Sequence, residues 1–441
     1  MNPLAEELNA TINEASPALF GMLSGLGREL YFPKGILTQT AEARSKAHRY
    51  NATIGIAREG GRAMNLKAIM ECVNGLSPDE ALDYAPATGN AGLRRAWRDD
   101  MFAKDPSLTG KSVSLPVVTC GITHGLTIAG ELFLDPGDVV LVPDKAWDNY
   151  ELVYAVKRSA EMRAFPLFAQ TEFNTAGLAR ALSRVLDEKG KAVVILNFPN
   201  NPTGYSIRRG ETESVVEALL SEAGPGRDVV VVLDDAYFGL FYTEDTSSES
   251  LFGMLAGASE HVFPVKVDGV SKEEYAWGLR VGFITFSLEA GGREDEVYAA
   301  LEKKVGGAIR GNISNCSQLS QSIVLRAMSD AALPDEKKEK YDILKERAET
   351  VREVLRNPLY DDHWRAYPFN AGYFMSIALK GIDAEEFRAR LLDRYGIGVI
   401  SMGDADIRIA FSCLENNEIA DLFDTMCHCA GEIKKERARA R

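Results

Sequence analysis

Six short apolar runs, separated by helix-length segments, constrain this chain more than any other feature. They are Val117-Val118-Thr119, Val139-Val140-Leu141-Val142, Val193-Val194-Ile195-Leu196, Val229-Val230-Val231-Val232-Leu233, Val262-Phe263-Pro264-Val265-Lys266-Val267 and Val281-Gly282-Phe283-Ile284-Thr285-Phe286. A nearly continuous apolar run has no face to give to water, so it reads as a strand covered on both sides. The expected class is α/β: a large domain over residues 65–320, its mostly parallel sheet wrapped by helices. The chain ends read differently. Residues 1–64 start with a helical pattern and then Tyr31-Phe32-Pro33-Lys34-Gly35. Residues 321–441 hold a long charged helical pattern from Glu336 towards Arg352. Strand-like stretches follow at Gly372-Tyr373-Phe374-Met375-Ser376-Ile377 and Ile407-Arg408-Ile409-Ala410-Phe411. The two ends are expected to form one smaller α+β domain.

The formal charge is -14, from 50 basic and 64 acidic side chains. That argues against a general nucleic-acid binder, which needs a basic surface for phosphates. No apolar run approaches the ~20 residues that span a bilayer. The start, Met1-Asn2-Pro3-Leu4-Ala5-Glu6-Glu7, lacks the basic segment and apolar core of a secretory signal. The six cysteines form no CxxC pair. Cys427-His428-Cys429 has no matching second half, so it reads as small buried residues rather than a metal site. The expectation is a cytoplasmic protein with no nucleic-acid or membrane partner.

Open α/β sheets bind ligands beyond the carboxyl ends of their strands, so the residues after the runs are the candidates. Lys272, in Gly269-Val270-Ser271-Lys272, follows the fifth run, and Arg280 stands eight residues on in Gly278-Leu279-Arg280-Val281-Gly282. A lysine at the end of a buried strand loses its proton by desolvation and becomes a nucleophilic amine. An arginine beside it offers a planar fork for a phosphate. An amine for an aldehyde and a cation for a phosphate are what pyridoxal phosphate asks of a protein. Asp234 opens Asp234-Asp235-Ala236-Tyr237 after the fourth run. Its carboxylate could hold a proton on a pyridine nitrogen or simply cap the next turn. Asn201-Pro202-Thr203-Gly204 is a turn that could aim the Asn201 amide at a ligand oxygen. Gly121-Ile122-Thr123 opens a helix and presents free backbone N–H groups to an anion. Trp147 fits either stacking on a planar cofactor or core packing.

The signals run in the order glycine turn, aromatic, Asn-Pro-Thr-Gly, Asp-x-x-Tyr, Ser-Lys, Gly-x-Arg. In that order, from about Tyr84 to Arg408, the chain resembles the fold-type I pyridoxal-phosphate enzymes. Within them it is similar to the class I/II aminotransferases, such as aspartate and aromatic aminotransferases. The resemblance implies pyridoxal 5'-phosphate held by Lys272 as a Schiff base, with Lys272 then moving a proton between the substrate α-carbon and cofactor C4′. It implies that Asp234 pairs with the pyridinium nitrogen, that Asn201 and Tyr237 hydrogen-bond the 3′-oxygen, and that Trp147 stacks on the ring. Arg280 and the amides near Gly121 and Ile122 would hold the phosphate, with Thr123 and Ser271 also at the cofactor. Arg408 matches the arginine for the substrate α-carboxylate.

Tyr84, in Tyr84-Ala85-Pro86-Ala87-Thr88-Gly89, matches a tyrosine that reaches the neighbouring subunit's phosphate, which implies a homodimer with shared active sites. Arg310, in Ile309-Arg310-Gly311-Asn312-Ile313-Ser314-Asn315, is similar to a partner-donated arginine that binds the side-chain carboxylate of dicarboxylic substrates. Its other reading is a surface arginine at the start of a helix. The expected reaction moves the α-amino group of an aspartate-like, glutamate-like or aromatic amino acid to a 2-oxo acid. A β-lyase, a decarboxylase or a non-catalytic ligand-sensing domain on the same fold are the alternatives. Three features depart from the family pattern. Gly269 stands where serine or threonine is usual, Cys316-Ser317 replace two prolines, and Glu273-Glu274-Tyr275-Ala276-Trp277 is unusually acidic.

Overall fold

All six apolar runs lie in one sheet. The computed structural model describes residues 1–32 and 35–439; Pro33 and Lys34 of the expected Gly/Pro stretch lie outside the described residues. The sheet comprises β1 (Val117–Thr119), β2 (Val139–Pro143), β3 (Glu161–Phe165), β4 (Lys191–Asn197), β5 (Asp228–Asp234), β6 (Val262–Gly269) and β7 (Gly282–Phe286). Their order across the sheet is β1-β7-β6-β5-β4-β2-β3. The pairs β2–β3, β2–β4, β4–β5 and β5–β6 are parallel, whereas β7 runs antiparallel to both β6 and β1.

Alternate residues of these strands enter two separate cores. Val140, Val193, Ile195, Val230, Val232 and Val267 pack into one, while Leu141, Val194, Leu196, Val229, Val231 and Leu233 pack into the other. Fully burying one such side chain contributes about 1.5–3 kcal/mol, so neither face tolerates a polar alternation. Strand β3 was not foreseen. It is an edge strand of sequence Glu-Met-Arg-Ala-Phe, with Glu161 and Ala164 exposed and only Phe165 buried, and an edge need not be apolar.

The second sheet consists of β8 (Trp364–Ala366), β9 (Met375–Leu379), β10 (Ile400–Met402) and β11 (Asp406–Ile409), antiparallel in the order β8-β9-β11-β10. The start of the chain packs beside it, in a separate two-stranded parallel sheet. Tyr50 and Asn51 pair with Ile397 and Gly398, and the Ala410 N–H donates to the Ala52 carbonyl at 2.8 Å. Four helices matter below: α1 (Ile122–Phe133), α2 (Glu294–Asn312), α3 (Leu333–Val354) and α4 (Ile419–Arg439). Cys427 and Cys429 lie on α4, half-buried and buried respectively. Among the described residues, no helix is long and apolar enough to cross a membrane. The register sets Asp234 beside Asn197 and Val267, so β4 and β5 end at one level and β6 runs on to Gly269.

Candidate active site

At that level lies a cavity of about 390 Å³, lined by Ile122, Thr123, Trp147, Asn201, Asp234, Tyr237, Ser271, Lys272, Arg280 and Arg408. Ten of the thirteen sequence candidates thus meet in one place. Lys272 follows β6 in the short helical turn Val270–Glu273, and its Nζ stands 4.9 Å from the centroid of the Tyr237 ring. Withdrawal from water, helped by the charge of Arg280 and opposed by Asp234, brings its amine down to about 8. A useful fraction is therefore uncharged and nucleophilic near neutral pH.

Asp234 ends β5 with its side chain buried. Its Oδ1 accepts the Ala236 N–H at 3.2 Å, and its Oδ2 accepts the Tyr150 hydroxyl at 2.6 Å. It therefore caps the turn and lines the cavity as well. Burial raises its pKa, while the Tyr150 hydrogen bond and the Lys272 charge hold it down. Burial likewise raises the Tyr237 phenol. Asn197 braces the site: its Nδ2 donates to the Asp234 carbonyl at 2.7 Å, and its Oδ1 accepts the Asn201 N–H at 2.7 Å.

Arg408, on β11, is 2% exposed. Its Nη1 donates to Asn201 Oδ1 at 3.1 Å and its Nη2 to the Thr53 carbonyl at 2.9 Å. The guanidinium lies 4.3 Å from the Phe374 ring centroid, and its Nε is buried without a partner among the described residues. Such a fixed, incompletely satisfied guanidinium suits a carboxylate. Trp147 is half-buried, edge-on to Tyr150, with one side on the cavity.

A helix start and an arginine meet beside the same cavity. Gly121 takes φ +75° ahead of α1, and a Cβ there would overlap the Arg280 guanidinium. The first backbone N–H groups of α1, near Ile122 and Thr123, point out of the helix at its positive end. Ser271 is 2% exposed, and its Oγ has no hydrogen-bond partner among the described residues. Gly269 lacks a hydroxyl for a packing reason. It pairs with Gly282 across β6 and β7, and a Cβ would fall 2.7 Å from both Gly282 Cα and the Val281 oxygen.

The remaining two side chains lie outside this cavity. Tyr84 is 91% exposed. Arg310 is also exposed, in the last turn of α2 rather than at a helix start, where its Nη1 donates to Ser314 Oγ at 2.6 Å. Four neighbours escaped the sequence reading. Tyr150 follows Trp147 by three residues and Asn197 precedes Asn201 by four, so proximity in sequence could have found them. Tyr373 and Phe374 lie just before β9 of the second sheet and carry no local signal.

A nucleophilic amine, a buried carboxylate and an anion cradle with an unpartnered hydroxyl fit a planar aldehyde with a ring nitrogen and a phosphate. The family model for aminotransferase class I and II matches residues 54–425. The Bacillus subtilis (strain 168) protein named "Probable N-acetyl-LL-diaminopimelate aminotransferase" is 26% identical over 349 residues, covering 76% of this chain and 78% of that one. An aminotransferase from Anaerococcus prevotii DSM 20548 has the same fold, with a TM-score of 0.82 at 21% identity over 92% of this chain and 98% of that one. The Pyrococcus horikoshii kynurenine aminotransferase, solved with PMP, gives 0.78 at 17% identity over 94% and 98%. The chain belongs to the class I and II aminotransferases, enzymes that transfer amino groups with pyridoxal phosphate.

Proposed function

We propose that the amino donor is an aspartate-like, glutamate-like or aromatic amino acid, that the acceptor is a 2-oxo acid, and that the enzyme is a cytoplasmic homodimer with shared active sites. The observation that carries this reading is the convergence of the Lys272 amine and the buried Arg408 guanidinium on one cavity.

The bound cofactor supplies an electron sink for the substrate's α-carbon. Lys272 would hold it covalently and would be the base and acid that moves a proton between the substrate's α-carbon and cofactor C4′. Asp234 would keep the ring nitrogen protonated, while Asn201 and Tyr237 would hydrogen-bond the 3′-oxygen. Trp147 would cover one face of the ring and exclude water. Arg280, Ser271 and the backbone at Gly121, Ile122 and Thr123 would hold the phosphate. Arg408 fixes the α-carboxylate, which orients the α-proton towards Lys272. We divide the chain into a large domain, 65–320, and a small domain, 1–64 with 321–441, so the substrate lies between Lys272 and Arg408 of different domains. The pairing of Tyr50 with Ile397 supports that division.

Tyr84 completes the phosphate site of the neighbouring subunit, and Arg310 binds the substrate's side-chain carboxylate across the same interface. Both are exposed here and stand away from their own chain's cavity, as donors to a partner must. A panel of amino acids, followed by the absorbance of the bound cofactor, tests the donor class. Aspartate and glutamate should react best, with Arg310→Ala impairing them selectively; equal loss for alanine and phenylalanine removes that role. Light scattering should give the mass of two chains, and a monomer would contradict the shared site.

A further inference from the structure

The acidic loop that departs from the family pattern begins directly after Lys272 and is tied to two lysines of neighbouring helices. Glu274 is buried, and only 12% of the Glu273 side chain is exposed. Glu273 forms ion pairs with Lys104 and, at 3.4 Å, with Lys337; Glu274 pairs with Lys337 at 2.5 Å. Lys104 closes the helix Ala91–Lys104 and also pairs with Asp100, whereas Lys337 belongs to α3. Lys272 is held from another side as well. The hydroxyl of Tyr373, a fully buried residue, donates to the Lys272 carbonyl at 3.0 Å. Its neighbour Phe374 carries the Arg408 guanidinium on its ring.

Buried charges stay in place only when each keeps its partner, so such a network fixes one geometry. We infer that Tyr373, Glu273 and Glu274 are positioning residues that hold the Lys272 backbone, so that its amine stands over Tyr237 inside the desolvated cavity. The inference rests on the reading that Lys272 carries the cofactor. Its consequence is chemical. A loosened Lys272 reaches wetter positions and keeps its proton to higher pH.

The groups facing the Lys272 amine are Asp234, Tyr237 and Arg280. Those facing the acidic pair are Asp100, Lys104, Asp268, Tyr275 and Lys337. Tyr373→Phe changes none of them and removes one hydroxyl, so a shift in that variant reports position rather than charge.

The test is the rate at which the full chain, stripped of cofactor, takes up pyridoxal phosphate as a function of pH, followed by absorbance. In the parent protein the rate should be half-maximal near the lysine's value of about 8. In Tyr373→Phe the midpoint should rise by about half a unit or more, which lowers uptake at pH 7 about threefold. Glu274→Gln/Lys337→Met, which replaces an ion pair by uncharged groups, should move it the same way. Midpoints unchanged in both variants, with or without a lower melting temperature, would overturn the inference. Lys272→Ala separates the two levels: if it takes up cofactor with the parent pH profile, the assignment of Lys272 itself fails.

Discussion

Tyr150 donates its hydroxyl to Asp234 Oδ2 at 2.6 Å, with both side chains buried. Desolvation favours the neutral acid, whereas this hydrogen bond favours the carboxylate. Burial outweighs it, so the Asp234 pKa lies above the ordinary carboxylate value, and the hydrogen bond limits that rise.

Removing that donor should therefore weaken the cofactor site. A hydrogen bond to a charged group contributes about 1.5–3 kcal/mol, so Tyr150→Phe should raise the Kd for pyridoxal phosphate about tenfold or more. Equilibrium dialysis measures it, and an unchanged Kd would contradict the role given to Asp234.

Gly121 predicts a second loss at the phosphate end. Gly121→Ala places a Cβ into the Arg280 guanidinium and forces on alanine a backbone conformation, φ +75° and ψ 173°, that is nearly confined to glycine, a strain of about 1–3 kcal/mol. Cofactor affinity should fall about tenfold or more, while the far-ultraviolet circular dichroism stays that of the parent.

Arg408→Lys keeps the charge but loses the planar fork. Uptake of pyridoxal phosphate should be unchanged, while KM for amino acids rises about tenfold or more. Steady-state kinetics beside cofactor titration separates the two. Loss of cofactor uptake would show that Arg408 serves the cofactor rather than the substrate.

The pH dependence follows from the sign of the lysine shift. Only the uncharged amine attacks an aldehyde, and Lys272 sheds its proton near 8 instead of at its ordinary 10.5. Cofactor uptake should climb between pH 7 and 9 and then level off. A curve still rising towards pH 10.5 would mean the amine is solvated.

Much of this was legible in the sequence because buried parallel strands announce themselves as apolar runs, and the chemistry sits just beyond their ends. Asp234, Asn201 and Lys272 could be found that way. Strand β3 could not, since an edge strand keeps one side in water. Tyr373 was invisible for another reason: its hydroxyl reaches Lys272 across 101 positions of sequence, a contact that only the packing of the second sheet creates. Gly269 looked like a missing hydroxyl, and its close pairing with Gly282 explains why no side chain fits there.

The most direct test of the whole account is a single turnover of the cofactor-loaded enzyme with excess aspartate or glutamate and no 2-oxo acid. It should yield one equivalent of 2-oxo acid per bound cofactor, leave the cofactor in its pyridoxamine form, and be abolished in Lys272→Ala. Release of carbon dioxide or ammonia, with the cofactor still an aldehyde, would contradict amino-group transfer.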